Sequence, residues 1–397
     1  MNTHESSGTG DQMQATNPLV KIIAFYLPQY HRIPENDAWW GIGFTDWVNV
    51  TQSRPLFPNH YQPRIPLDNN YYDLADIYNQ EWQISLAKQY SIYGFCHYHY
   101  WFDGKQLLEK PTNMLISNDR LDFPFCLAWA NISWTRRWNG IEYADNILQL
   151  QTHPVDESSW ERHFRYLVKG WSDHRAIKVE NKPIFLIYSP HTIPGLEKML
   201  DYWRERALQS GLEGVYFIGM QQFGILTREI ARALDAVVDF QPAMALFSAN
   251  GCSPIMKISL AKTVFSLPRP ATNLLRRIKS KFYPRIRFHS YNDIWDKILQ
   301  APDCKEFATY PGAFVDWDNT PRYGERARIL LGASPGAYQR NLEKLIARVS
   351  KSENIEKLLF LNAWNEWAEG CYLEPDEMHG FSYLEATRDS LKRSIVK

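Results

Sequence analysis

Glu366, Glu369 and Glu374 stand close together near the C-terminus, interleaved with Trp364, Trp367 and Tyr372 in the run Phe360-Leu-Asn-Ala-Trp-Asn-Glu-Trp-Ala-Glu369-Gly-Cys-Tyr-Leu-Glu374. Chemistry at a glycosidic bond needs two carboxyl groups flanking that bond, and sugar rings lay their faces on indole and phenol rings. Residues three apart share a face on a helix or in a tight turn, so Glu366 and Glu369 can work on one bond. The same spacing suits the acidic first turn of an ordinary helix, where carboxylates favour the dipole. The Trp and Asn around the pair tip the balance towards a site.

Two other clusters compete with it. His97 and His99 lie two apart in the strand-like run 93–102, so their imidazoles point to one side and could meet one ion. No further ligands accompany them at definite places, and hydrogen bonding to a polar substrate suits them better. Asp316-Trp317-Asp318 resembles the D-x-D element by which many nucleotide-sugar transferases hold a divalent cation. No Gly-rich phosphate loop and no G-x-G-x-x-G supports it, so neither a metal nor a cofactor is expected. A Ser or Cys nucleophile has no support either: there is no G-x-S-x-G, and no Cys sits beside a base.

The elements that must position these groups follow from hydrophobic patterning. Leu358 to Leu361 is an apolar run, a buried strand whose C-terminal end opens into the acids, which is where barrel enzymes place chemistry. Seven earlier runs are similar: 20–27, 93–102, 123–130, 183–188, 215–220, 236–240 and 307–314. Helical periodicity falls between them at 73–91, 157–169, 196–210, 225–234, 291–299 and 335–350, with a last helix at 381–395. This alternation predicts an α/β fold, a (β/α)8 TIM-type barrel with long βα loops. A doubly wound sheet alternates too, but it concentrates its site at one switch point, whereas here polar clusters follow nearly every strand.

Composition narrows the class. The 397 residues carry a formal net charge of +0, so nothing global argues for nucleic acid. The 15 Trp and 22 Tyr exceed what a core requires, which leaves rings for a cleft. The five Cys form no C-x-x-C, so no disulfide framework or zinc site is indicated. Residues 1–17 are polar with no apolar centre and are expected to be a disordered leader, with 18–397 a single catalytic domain. No apolar run reaches membrane-spanning length, and a cytoplasmic location is expected. A basic insertion, 245–290, separates strands six and seven. Its 257–287 portion holds nine Lys/Arg and no acid, interleaved with apolar residues. That suits peripheral contact with an anionic membrane at the inner face, or equally a plain surface excursion.

Several segments together resemble the WbsX-type glycosyltransferase family, related to glycoside hydrolase family 99, the endo-mannosidases. They are Tyr26-Leu-Pro-Gln-Tyr-His31, Trp39-Trp-Gly-Ile-Gly-Phe-Thr-Asp-Trp47, Tyr93-Gly-Phe-Cys-His-Tyr-His-Tyr-Trp-Phe102, Trp129-Ala-Asn-Ile-Ser-Trp-Thr-Arg-Arg-Trp138, Trp317-Asp-Asn-Thr-Pro-Arg322 and Asn362-Ala-Trp-Asn-Glu-Trp-Ala-Glu-Gly370. The resemblance implies a (β/α)8 barrel in which Glu366 and Glu369 match an E-W-x-E-G catalytic pair. By position, Glu366 would act as base on the sugar 2-hydroxyl, giving an anhydro intermediate, and Glu369 as general acid, then base. The chain departs from the pattern at Ile132 and Asp46 (Glu in the family), Asn139 (Asp) and Ala368 (His in family 99).

The expectation is therefore a retaining glycosidase or transglycosidase acting on a cell-surface-type polysaccharide or glycan, free or lipid-linked. Tyr30, His31, Trp47, His97, His99, Trp101, Asn131, Trp134, Trp138, Asp318, Asn362, Trp364, Asn365 and Glu374 are expected to line the sugar site. Two alternatives stay open. One is a nucleotide-sugar-dependent transferase in O-antigen or capsule synthesis. The other is an inactive glycan-binding barrel, suggested by Ile132.

Overall fold

A computed structural model describes residues 19–395 apart from 137–145, 223, 248–285, 303 and 305. The expected leader, Trp138, Asn139 and most of the basic segment with its membrane contact lie outside the described residues. Nine parallel strands run round a nearly closed barrel: β1 (Lys21–Tyr26), β2 (Gly94–Phe102), β3 (Phe125–Trp129), β4 (Lys182–Ile187), β5 (Tyr216–Gln221), β6 (Ala236–Asp239), β7 (Ala308–Tyr310), β8 (Gly312–Phe314) and β9 (Leu358–Asn362). Their order is β7-β6-β5-β4-β3-β2-β1-β9-β8, so a (β/α)8 barrel is formed with its seventh stave in two pieces.

That break closes the barrel. β7 pairs with β6, while β8 pairs with β9. Between them Pro311 has no N–H for either neighbour, but its carbonyl accepts from the Phe360 amide at 3.2 Å. Gly312 follows because no side chain fits there: a Cβ would stand 1.9 Å from the Asp239 carbonyl oxygen. The strand expected over 307–314 is thus two short strands that pair on opposite sides.

The helices used below are α1 (Asp46–Gln52), α2 (Ile77–Gln89), α3 (Glu157–Trp171), α4 (Leu196–Gln209), α5 (Tyr291–Gln300), α6 (Thr320–Tyr323), α7 (Pro335–Val349) and α8 (Ser382–Ile395). α2 starts later than its periodicity suggested because Asp76 caps it, accepting from the Tyr78 amide. Ser334 caps α7 and Pro335 opens it, the preferred order at a helix start. Inside the barrel Phe25 packs on Phe240 and Phe360, with ring centroids 5.2 and 5.9 Å away. Outside it, the fully buried Trp171 and Trp203 fill the layer beneath α3 and α4. Among the described residues, no helix is long and apolar enough to cross a membrane.

Candidate active site

On leaving β9 the chain folds into a small antiparallel hairpin, Asn365 and Glu366 pairing with Tyr372 and Cys371. A single 3-10 turn, Trp367–Glu369, joins the two arms. Gly370 ends the turn at φ 63°, a left-handed conformation that glycine adopts without a Cβ clash. The turn brings Glu366 and Glu369 to one side, at the C-terminal mouth of the barrel.

Both acids meet the guanidinium of Arg322, which projects from α6. Its Nη1 donates to Glu369 Oε1 at 3.0 Å, and its Nη2 donates to Glu366 Oε1 at 3.0 Å. The same Nη2 donates to Asp46 Oδ2 at 2.8 Å from the first turn of α1. Gln29 Nε2 also donates to Asp46 Oδ2, and Tyr100 donates to Gln29 Oε1 at 3.4 Å. The side chains of Arg322 and Glu366 are each 8% exposed and that of Glu369 20%, so Glu369 is the acid nearer solvent.

Three carboxylates around one guanidinium, out of water, cannot all ionise cheaply. Burial is the largest influence on both glutamates and raises their carboxyls, Glu366 well above the usual range. Arg322 pulls both down, while Asp46 pushes both up. The pair therefore titrates as a unit and retains a proton that ordinary carboxylates would lose. The hydroxyls of Tyr98, Tyr100 and Tyr188 are raised first by burial and then by nearby groups, including the glutamate charges. They stay protonated and can donate.

Beside Asp46 lies a cleft with about 370 Å³ of unfilled space, its open mouth included; its lining includes Gln29, Trp40, Phe44, Asp46 and Trp134. The cleft reaches the carboxylate cluster through Asp46 and Gln29. Trp134 thus lines this cleft, edge-on to Tyr100 with centroids 5.0 Å apart.

Tyr30, Trp47, Trp364, Asn365 and Glu374, expected at the sugar site, instead hold the hairpin, and His31, Asn131 and Asn362 tie the backbone elsewhere. Tyr30 OH accepts from the Trp367 amide at 3.1 Å, and Trp47 packs on the Trp367 ring. Asn365 clamps the backbone of Leu27, accepting from its N–H at 2.8 Å and donating to its carbonyl at 3.0 Å. Asn362 donates to the Gln241 carbonyl, and Trp364 is fully buried against Phe95. His31 donates from Nδ1 to the Pro28 carbonyl. Asn131 staples β3 to the end of β4 through Ser189. Glu374 accepts from Tyr72 OH, Gln83 Nε2 and Trp367 Nε1 at 2.7, 2.6 and 2.7 Å. Burial outweighs these donors and raises its carboxyl to about 7.

The D-x-D aspartates are engaged by protein groups. Asp316 accepts from Arg64 at 2.7 Å. Asp318 accepts from His60 Nε2 at 2.8 Å and Gln62 Nε2 at 2.7 Å, and from Thr320. His60 Nδ1 accepts from the Leu56 amide, which fixes the tautomer that donates.

His97, His99 and Trp101 do share one side of β2, but it is the helix-facing side. His97 stacks on Tyr26 at 4.1 Å. His99 Nε2 meets His163 Nε2 at 2.9 Å under α3, and Trp101 lies flat on the His163 ring. Burial lowers His97 and His99 to about 3, so both are neutral. In a barrel both faces of a strand are buried, and the pattern along it does not say which face looks inward. Here Tyr98 and Tyr100 look inward instead.

Asp46 and Arg322 were not expected as site residues, although both fall inside the quoted segments. Residues 276 positions apart carry no pairing signal in a single sequence. Ile132 is 40% exposed, and Ala368 is fully buried in the turn of the hairpin.

Comparison with known proteins places the chain. The family model described as Glycosyltransferase WbsX matches residues 22–387. Two proteins of Xanthomonas campestris pv. campestris, both called WxcX and uncharacterized, are 35% identical over 376 residues, which is 94% of this chain and 50% of each relative. The chain thus spans about half the length of the curated relatives it matches. The GH99 endo-alpha-mannosidase from Bacteroides thetaiotaomicron superposes with a TM-score of 0.52 at 13% identity, over 95% of this chain and 98% of that one. Its complex with bis-tris-propane gives 0.55 at 14% identity with the same coverage. A glycoside hydrolase-like protein gives 0.55 at 13%, over 94% of both chains. Identities this low show a shared fold, and the match along nearly the whole sequence shows the lineage: the protein belongs to the WbsX glycosyltransferase family.

Proposed function

We propose that the chain acts at glycosidic bonds of a cell-surface-type polysaccharide or glycan, with Glu366 and Glu369 as its proton-transfer pair. The observation that carries this reading is the convergence of both acids on Arg322 at the barrel mouth, beside a cleft walled by Trp40 and Trp134. One member gives a proton to the departing oxygen while the other takes one from the attacking hydroxyl, and the retained proton makes this division available at neutral pH. Water as final acceptor gives hydrolysis; a sugar hydroxyl gives transfer.

The test is incubation with purified cell-surface polysaccharide fragments, reading new reducing ends and product masses. Glu366→Gln and Glu369→Gln are expected to lower turnover about 10²–10⁴-fold in protein that circular dichroism shows to be folded at the assay temperature. Full turnover by Glu369→Gln would exclude the assignment. The family description, a glycosyltransferase, supports a second reading, transfer of a sugar, for which a sugar nucleotide is the donor to try and a lipid-linked glycan the acceptor. Sugar-nucleotide consumption that requires that acceptor and survives both substitutions would establish it instead.

A further inference from the structure

Resting on that reading, we propose that Arg322 and Asp46 are positioning residues that set how many protons the Glu366–Glu369 pair holds. Arg322 does so by clamping both acids on one guanidinium, and Asp46 by competing for the same nitrogen. Neither is assigned a step on substrate.

The geometry carries the argument. Arg322 Nη2 is shared between Glu366 and Asp46, at 3.0 and 2.8 Å, while Nη1 serves Glu369. A single cation on α6 thus faces three acids from two separate parts of the fold: Asp46 on α1, and Glu366 and Glu369 on the hairpin after β9. Asp46 is fixed in turn by Gln29, whose carbonyl accepts from Tyr100. α6 is fixed at its start by Asp318, which accepts from the Thr320 amide at 3.0 Å and carries His60 and Gln62. Among the described residues, the titratable groups bearing on the pair are Asp46 and Arg322, together with the hydroxyls of Tyr30, Tyr98, Tyr100 and Tyr188 and the thiol of Cys371. The tyrosines and the thiol, all raised by burial, are neutral at physiological pH, so the charges in play among the described residues are one positive and up to three negative. Removing the positive one and removing the outlying negative one must push the pair in opposite directions.

Opposite signs separate this role from a merely structural one, because loosened packing has no reason to move two variants apart. The test needs no substrate: protein labelled with 13C at the glutamate side-chain carboxyls is titrated by NMR, the pair being assigned through Glu366→Gln and Glu369→Gln. Arg322→Met is expected to move the pair's midpoints up by about one pH unit or more. Arg322→Lys should restore part of that shift, and Asp46→Asn should move the midpoints down. Unchanged midpoints, or shifts of the same sign in Arg322→Met and Asp46→Asn, overturn the proposal. If Arg322→Met does not fold, the sign of the Asp46→Asn shift decides alone. Failure of the glycosidic reading would show in turnover by the glutamate variants, independently of these titrations.

Discussion

Gly370 and Asp318 lie backbone against backbone. A Cβ at Gly370 would stand 3.0 Å from the Asp318 carbonyl oxygen and 3.1 Å from its amide nitrogen. The Asp318 amide donates to the Glu369 carbonyl at 2.8 Å. The turn that carries both glutamates is therefore locked to the segment leading into Arg322, so the cation and its acids cannot drift apart independently.

Gly370→Ala should strain this lock twice over. The left-handed φ costs an L-residue about 1–2 kcal/mol, and the added methyl needs the Asp318 backbone to retreat by a few tenths of an ångström. Gly380 supplies the control: its φ is 52° and a Cβ there meets nothing within 4 Å. Urea denaturation should show a larger loss for Gly370→Ala than for Gly380→Ala, and only the former should reduce turnover. Equal losses would mean that the contact with Asp318 is unimportant.

Asp318→Ala is expected to destabilise the protein by roughly 3 kcal/mol, because His60 and Gln62 lose a buried anionic partner. The loss should be the same with and without magnesium or manganese, since the aspartate's work here is to hold the loop that reaches α6. Thermal melts with and without each cation check this. A divalent cation that stabilises the wild type but not the variant would revive the D-x-D reading.

How much was legible in sequence depended on whether a signal was local. Each barrel strand announces itself as a short apolar run ending in polar residues, and Glu366 and Glu369 are neighbours along the chain. The run 307–314 reads as one strand, and only the approach of the Asp239 carbonyl explains why a glycine must stand at 312. Facing was not legible: nothing in Tyr93–Phe102 separates the inward Tyr98 and Tyr100 from the outward His97 and His99. Pairing across the fold is not legible either, and nothing in the sequence joins Arg322 to Asp46. Rings expected as sugar platforms, such as Trp47 and Trp364, pack behind the hairpin, because an indole serves a core as well as a ligand.

Glu374 should make stability fall towards alkaline pH. Its carboxyl rises from an ordinary 4.5 to about 7 on folding, burial being the main cause. The folded state thus holds the proton more tightly than the unfolded chain does. The resulting stability is fully present below about 4.5 and is lost as pH rises through about 7, a difference of about 3 kcal/mol. Glu374→Gln should flatten unfolding free energies measured from pH 5 to 8, even though the neutral side chain accepts less well from Tyr72 and Trp367. The Glu366–Glu369 pair, raised by burial as well, keeps its own part of the slope, so a slope undiminished in the variant would place this share on another group.

The histidines of β2 act on the acid side with the opposite sign. His97 falls from 6.5 to about 3 through burial, so it is neutral when folded and takes up a proton on unfolding below its ordinary range. Its share of stability is full above about 6.5 and drains away as pH falls from there towards 3. At pH 4.5 the loss for one such histidine is roughly 3 kcal/mol. His97→Phe keeps a ring to stack on Tyr26 and removes the titration, so its acid-unfolding midpoint should lie below that of the wild type. The same change at the exposed His191 should leave the midpoint where it was. If His97 instead faced a wet barrel mouth, it would protonate while folded and His97→Phe would not shift the acid midpoint. The measurement therefore reports which way β2 is turned, and with it whether Tyr98 and Tyr100 are the side chains presented to the glutamate pair.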